Sequence, residues 1–103
     1  MSLEESRREK IIKVLSGTSR PLSVYEIAAA IGIYDPREAK TIYEDLRHIA
    51  KTIRRKGGVL YMDPPRCANC GYIFKNLTKP HKPSKCPKCK AERITPPRFI
   101  IEY

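Results

Sequence analysis

The sequence contains no tryptophan and no glutamine, and it has no long apolar segment. No uninterrupted apolar run approaches the ~20 residues that a membrane-spanning helix needs. The first ten residues are rich in charge, and no apolar core of a secretory signal follows them. We therefore expect a cytoplasmic protein without membrane contact. The missing glutamine and tryptophan, together with abundant isoleucine, lysine and arginine, favour a thermophilic source.

The motifs of common catalytic sites are also absent. The sequence has no Walker loop, no G-x-S-x-G nucleophile motif and no H-E-x-x-H metalloprotease motif. Its carboxylates are scattered over predicted helix surfaces. We therefore expect a binding protein and not an enzyme.

Acidic residues are few, which makes the chain strongly basic. The 103 residues include 21 lysines and arginines against 11 aspartates and glutamates, for a net charge of +10. Such a charge on a chain of this length points to a polyanionic partner, with nucleic acid first. Residues 1–65 carry twelve basic and nine acidic side chains, whereas residues 66–103 carry nine basic and two acidic ones.

Two serines predict the starts of the first two helices. Ser2 and Ser23 are each followed three residues later by a glutamate, which is the capping-box pattern. The first pattern predicts a helix over residues 3–16, and the second predicts a short helix that ends at Gly32.

A third, longer helix is predicted to start at Asp35-Pro36, because proline is favoured at the first helical position. Apolar residues then recur at spacings of four, three and four, at Ile42, Leu46, Ile49 and Ile53. This stripe predicts a helix to about Arg55, closed by Gly57-Gly58. In a rival interpretation the helix ends near Ala50 and the glycines form a hairpin turn.

A short helix followed by a long one is the order of a helix-turn-helix, whose last helix reads DNA. The candidate DNA contacts lie opposite the apolar stripe of the predicted third helix and at the end of that helix: Arg37, Lys40, Thr41, Glu44, Arg47, Lys51, Arg54, Arg55 and Lys56. Residues near the helix start are expected at base edges, and the last three are expected at phosphates. The alternative is that this face is only a solvated surface, and the acidic residues Glu44 and Asp45 favour that interpretation. We prefer DNA binding because the net charge of the chain is strongly positive.

Two apolar runs, at residues 59–62 and 99–101, predict a pair of strands. A two-stranded ribbon after a helix-turn-helix is typical of a winged helix. The predicted fold class is therefore α+β, a winged helix-turn-helix of three helices and a two-stranded wing. Its first domain would span residues 1–65, completed by the strand at 97–103, and an insertion at the wing would span 66–96.

All four cysteines lie in that insertion, in the pairs Cys67-Ala68-Asn69-Cys70 and Cys86-Pro87-Lys88-Cys89. Two C-x-x-C turns separated by fifteen residues are a strong zinc signature, because four thiolates complete a closed tetrahedral shell. We expect one structural Zn²⁺ per chain, which makes the insertion at 66–96 a zinc ribbon. Iron can occupy the same ligands, whereas disulfides or a redox pair do not fit an intracellular chain without a βαβ pattern.

The rest of the insertion is rich in lysine, and its density of charge predicts phosphate contact, although such loops are often only solvated. His81 lies in a proline- and lysine-rich loop and is expected to be solvated. His48 is expected at the surface, where it could contact phosphate. Tyr72 and Phe74 are expected to pack the small core of the ribbon.

These residues resemble a family of small archaeal winged-helix proteins that carry a rubredoxin-like zinc ribbon and are classed as predicted transcriptional regulators. The resemblance covers nearly the whole chain and rests most on the cysteine motifs, with three further stretches: Arg7-Arg8-Glu9-Lys10-Ile11-Ile12, Tyr43-Glu44-Asp45-Leu46 and Pro97-Arg98-Phe99. It implies binding of double-stranded DNA through the third helix, with Cys67, Cys70, Cys86 and Cys89 on zinc.

Three hypotheses follow. The leading one is a sequence-specific DNA-binding transcriptional regulator. An RNA-binding or ribosome-associated zinc-ribbon protein is the second, because most of the net charge lies in the insertion. The third is an adaptor that binds RNA polymerase or other transcription proteins. The sequence leaves the oligomeric state open.

Overall fold

The computed structural model describes residues 6–103. Four helices precede two strands: α1 (Arg7–Gly17), α2 (Val24–Ala30), α3 (Pro36–Ala39), α4 (Ile42–Arg55), β1 (Val59–Asp63) and β2 (Arg98–Glu102). Within these residues, no helix combines the length and the apolar character needed to cross a membrane.

The first helix begins later than the sequence pattern predicted. The predicted cap at Ser2 lies outside the described residues, but Ser6 has extended backbone angles, so a helix running continuously from residue 3 is wrong. Ser6 itself forms a capping box: its hydroxyl accepts from the Glu9 N–H at 3.1 Å, and the Glu9 carboxylate accepts from the Ser6 N–H at 3.0 Å. This reciprocal pair satisfies backbone donors at the helix start and fixes that start at Arg7.

The second helix forms as predicted. The Ser23 hydroxyl accepts from the Glu26 N–H at 3.2 Å, and the Glu26 carboxylate accepts from the Ser23 N–H at 3.0 Å. The chain leaves the helix through Gly32, whose φ of +88° suits glycine.

The predicted third helix is divided into α3 and α4. Asp35 caps the Arg37 N–H at 2.9 Å as expected, but Lys40 and Thr41 form a tighter turn between the two helices. The Thr41 hydroxyl donates to the Glu38 carbonyl at 2.6 Å and competes there with the regular helical bond. The prediction of one continuous helix is therefore wrong at this turn.

The C-terminal end of α4 and the strand pairing confirm the predictions. α4 ends at Arg55, which excludes the rival hairpin. Gly58 lies so close to the core that an added Cβ would meet Ile53 Cγ2 at 2.6 Å. β1 and β2 then pair in antiparallel register, with Tyr61 opposite Ile100.

β2 also belongs to the core of the helices. Leu22, just before α2, exchanges two backbone hydrogen bonds with Phe99, of 2.8 and 2.7 Å. The Phe99 side chain is fully buried and contacts the ring of Tyr43 edge-on at 6.4 Å between centroids. The core consists of apolar side chains from α1, α2, α3, α4 and β2. The two ends of the insertion are thereby anchored in one packed body.

Asp45 is a buried acid that joins α1 to α4. Arg7 and Arg8 donate through their Nε atoms to its carboxylate oxygens at 2.7 and 2.9 Å. Its side chain is 9% exposed, so it does not belong to a solvated face, contrary to the alternative drawn from the sequence. A buried carboxylate with two charge-assisted partners costs much more to disrupt than a surface ion pair.

We expect Asp45→Asn to lower the free energy of unfolding by about 1–3 kcal/mol, because two arginines lose a charged acceptor. Chemical denaturation measures this loss. The matched control is Glu44→Gln at the preceding position of α4, where the carboxylate is 62% exposed. The control should stay within about 0.5 kcal/mol of the wild type. Equal losses in both variants would contradict the structural role of Asp45.

Candidate metal centre and nucleic-acid interface

The fold brings the four cysteines of the insertion to one point. Their four sulfur atoms all lie within 4.8 Å of one another. Cys67 Sγ is 3.5 Å from Cys89 Sγ, and Cys70 Sγ is 3.6 Å from Cys86 Sγ. A tetrahedral zinc site with Zn–S bonds of about 2.3 Å has sulfur atoms about 3.8 Å apart. The donor set and its spacing therefore fit one Zn²⁺, and none of the four forms a disulfide.

Each C-x-x-C pair forms the same tight turn. The N–H of Gly71 donates to the Cys67 carbonyl, and the N–H of Lys90 donates to the Cys86 carbonyl, both at 2.9 Å. Both residues after the second cysteine have a positive φ, +80° at Gly71 and +67° at Lys90. Glycine adopts this conformation readily, whereas a lysine gives no signal for it in the sequence.

Nearby N–H groups donate hydrogen bonds to the cysteine sulfur atoms. The N–H groups of Cys70 and Cys89 each point to the sulfur of the first cysteine of their own pair, at 3.4 Å. The Asn69 side-chain amide and the Ala91 N–H donate to the Cys89 sulfur and lower the pKa of Cys89 to about 6. Thiolates are the metal-binding form, so these donors suit Cys89 to a cation. In spite of a backbone hydrogen bond from Tyr72, desolvation and the neighbouring sulfur atoms raise the pKa of Cys70 to about 12.

The ribbon has a very small apolar core. Cys67, Cys86 and Ile94 are buried, and the rings of Tyr72 and Phe74 pack edge-on at 5.1 Å beside them. The expected packing of these two rings is confirmed. His81 is exposed and lies outside the four-sulfur cluster. With four cysteine ligands the shell is closed, which suits a structural ion and leaves no position for a substrate.

The predicted DNA contacts lie along α3 and α4 and in the residues next to these helices. All of them are exposed: Arg37, Lys40, Thr41, Glu44, Arg47, Lys51, Arg54, Arg55 and Lys56. The Glu44 carboxylate is 3.4 Å from the Arg47 guanidinium and 3.6 Å from His48 Nε2. His48 is half-exposed, as predicted for a surface role. The arginine and lysine side chains at the end of α4 extend from the last turn and from the residue after it.

The insertion folds back onto this face of α4, which the sequence did not predict. The Arg47 guanidinium donates to the Pro80 carbonyl at 3.5 Å. A cleft of about 390 Å³ opens beside this contact; we call it the helix–loop cleft, and it is lined by Glu44, Arg47, His48, Ala50, Lys51, Arg54, Thr78, Lys79 and Pro80. The contact joins residues 33 positions apart, and no local pattern in the sequence marks it.

Lys40 lies in a different place from Arg47. It lines a second cleft of about 380 Å³, with Tyr25 and Tyr43 on the helical side and residues 81–84 on the insertion. The turn at residues 40–41 separates α3 from α4, so Lys40 does not belong to the continuous helix that carries Arg47. Burial raises the pKa of Tyr43 to about 12, so this phenol stays neutral.

We expect the purified protein to carry one zinc per chain. Cys86→Ser should reduce the bound zinc strongly, because Cys86 is fully buried in the cluster and a hydroxyl is a poor zinc ligand. Native mass spectrometry with elemental analysis measures the stoichiometry. Ser84→Ala, at an exposed position two residues away, is the control and should keep its zinc. A wild-type protein with disulfide-bonded Cys67 and no metal would contradict the assignment.

Comparisons with known proteins agree with this geometry. A family described as PF0610-like, N-terminal matches residues 6–61, and the PF0610 rubredoxin-like zinc beta-ribbon domain matches residues 64–103. The second match includes all four cysteines, and it confirms the expected structural zinc site. No curated protein matches the chain.

A solved structure is also similar to this chain over its whole length. It is the solution NMR structure of protein PF0610 from Pyrococcus furiosus, which shares 38% sequence identity at a TM-score of 0.79. The alignment covers 100% of this chain and 96% of that chain. The fold, the four-cysteine centre and these matches together show that the chain belongs to the PF0610 family, with its characteristic N-terminal domain followed by a rubredoxin-like zinc β-ribbon.

Proposed function

We propose that this protein is a cytoplasmic, sequence-specific DNA-binding transcriptional regulator of winged-helix type, and not an enzyme. The observation that carries the proposal is the exposed, basic side of α3 and α4. Residues 36–56 contain seven basic and three acidic side chains, and one of the acids is Asp45, which is buried against α1. The surface that remains is therefore more basic than the sequence count suggests.

The order of the elements supports the winged-helix part of the proposal. The helices α1 and α2 and the divided third helix, α3 with α4, are followed by an antiparallel pair of strands, as in a helix-turn-helix with a wing. The Leu22–Phe99 pairing adds a short third strand position before α2. The zinc ribbon then occupies the connection between β1 and β2, where a simple wing has a loop.

The two ends of the basic side suit different parts of a duplex. Arg37 is 91% exposed near the start of α3, and Thr41 is exposed in the turn before α4. Residues near the start of a recognition helix commonly meet base edges, so we assign Arg37, Lys40 and Thr41 to bases. Arg54, Arg55 and Lys56, which leave the last turn of α4, suit phosphates.

We expect Lys40→Ala and Arg55→Ala to weaken DNA binding in different ways. Lys40→Ala should cost about 1–3 kcal/mol on a preferred site and relax its sequence preference. Arg55→Ala should weaken all duplexes alike and reduce the salt slope by about one unit, because one phosphate contact is lost.

Selection of bound sequences from a random duplex pool supplies the preferred site, and titrations at several salt concentrations measure both variants. Lys10→Ala, an exposed lysine on α1, is the control for the loss of one positive charge. Equal losses on every sequence for Lys40→Ala and Arg55→Ala would mean that the helix reads no bases. A wild-type protein that binds no duplex even at low salt would contradict the proposed function.

An RNA-binding or ribosome-associated role is the second candidate. The observation that favours it is the net charge of the second half, where nine basic residues face two acidic ones. Tyr72 and Phe74 weaken this candidate, because they pack the ribbon core and are not free to stack on bases. Competition between duplex DNA and RNA of the same length separates the two candidates. A role as an adaptor for RNA polymerase would appear as a protein partner retained after nuclease treatment.

A further inference from the structure

The helix–loop cleft brings two basic segments together that are distant in the sequence. Lys51 and Arg54 lie on the α4 side, and Lys79 lies on the side of the insertion. All three side chains are exposed, and among the described residues none of them forms an ion pair. The acid of the cleft, Glu44, is already shared between Arg47 and His48. The cleft therefore presents uncompensated positive charge on both of its walls.

The size of the cleft limits what it can hold. Its volume of about 390 Å³ is in the range of small-molecule sites and far too small for a whole duplex. One phosphodiester backbone is a narrow polyanion, and it offers phosphate oxygens to cations on either side. In a duplex, such a backbone is the ridge between the major and the minor groove, so walls that lie on both sides of it would enter neighbouring grooves.

We propose that the helix–loop cleft holds one phosphodiester backbone of duplex DNA, with Lys51 and Arg54 on one side and Lys79 on the other. This inference rests on the proposed function and assigns a role to the zinc ribbon within it. The ribbon is a second wall of the DNA site, and the Arg47–Pro80 contact joins the two walls. The middle of α4 then grips the backbone, while base reading is confined to α3 and the turn after it.

The test compares lysines inside and outside the cleft. Lys79→Ala and Lys51→Ala remove one charge from each wall, and Lys75→Ala removes one from the same ribbon at an exposed position outside the cleft. Fluorescence anisotropy with a labelled duplex at several salt concentrations gives the salt slope of each variant. Zinc content and circular dichroism check that every variant is folded and loaded.

We expect each cleft variant to reduce the salt slope by about 0.9, the value for one phosphate contact on B-DNA. The double variant should lose about twice as much, and Lys75→Ala should retain the wild-type slope. Equal reductions in all three single variants would mean binding through diffuse charge and would overturn the cleft. Losses confined to single-stranded DNA or RNA would overturn the assignment of a duplex backbone.

The outcome also separates this inference from the proposed function. If Arg55→Ala reduces the slope while Lys51→Ala and Lys79→Ala leave it unchanged, the cleft is not used and DNA binding by α4 stands. If the wild-type protein binds no duplex at low salt, both the proposed DNA-binding function and the proposed role of the cleft are wrong.

Discussion

Four thiolates that converge on one metal site give the ribbon a stabilisation that its apolar side chains cannot supply. Apart from two of the cysteines, Ile94 is the buried apolar side chain at its centre, with Tyr72 and Phe74 partly buried beside it. A core of this size offsets little of the conformational entropy of the roughly 30 residues that it would have to order. In such a domain the free energy of metal binding contributes directly to the free energy of folding, since the site does not exist in the unfolded chain.

The ribbon matters to the rest of the molecule because both of its ends are fixed. β1 leaves α4 through the tight approach at Gly58, and β2 returns into the helical core through Phe99. The paired strands therefore hold the insertion close to α4, and the Arg47 guanidinium contacts the Pro80 carbonyl of the insertion. The helical part has its own large core and the Arg7–Asp45–Arg8 ion pairs, so we expect it to fold without the metal.

Features with a local cause could be predicted from the sequence. The Ser23 capping box, the apolar stripe that carries α4 to Arg55 and the paired cysteine turns each depend on residues a few positions apart. The start of α1 was mistaken because Ser2 and Ser6 both offer a capping box, and the pattern alone does not choose between them. At the turn at Lys40–Thr41, the Thr41 N–H and hydroxyl both donate to the Glu38 carbonyl, which an apolar stripe does not reveal.

Features that depend on tertiary contacts could not be predicted. Asp45 sits one position after an exposed glutamate and looks like a surface residue until α1 is placed against it. The family resemblance included both Arg7-Arg8 and Asp45 without indicating that they form an ion pair. The return of residues 78–84 to α4 likewise depends on the path of the insertion. The division of the basic residues between two clefts depends on the same path.

Hydrogen–deuterium exchange before and after removal of the metal by a chelator measures how far the ribbon depends on zinc. Backbone amides of residues 66–95 should lose their protection when zinc is removed, because the ribbon then lacks a sufficient core. Amides of α1, α2 and α4 should keep their protection, since their core contains no cysteine. Ribbon amides that stay protected without metal would mean that the ribbon does not need zinc to fold. Helices that lose protection together with the ribbon would mean that the two parts do not fold independently.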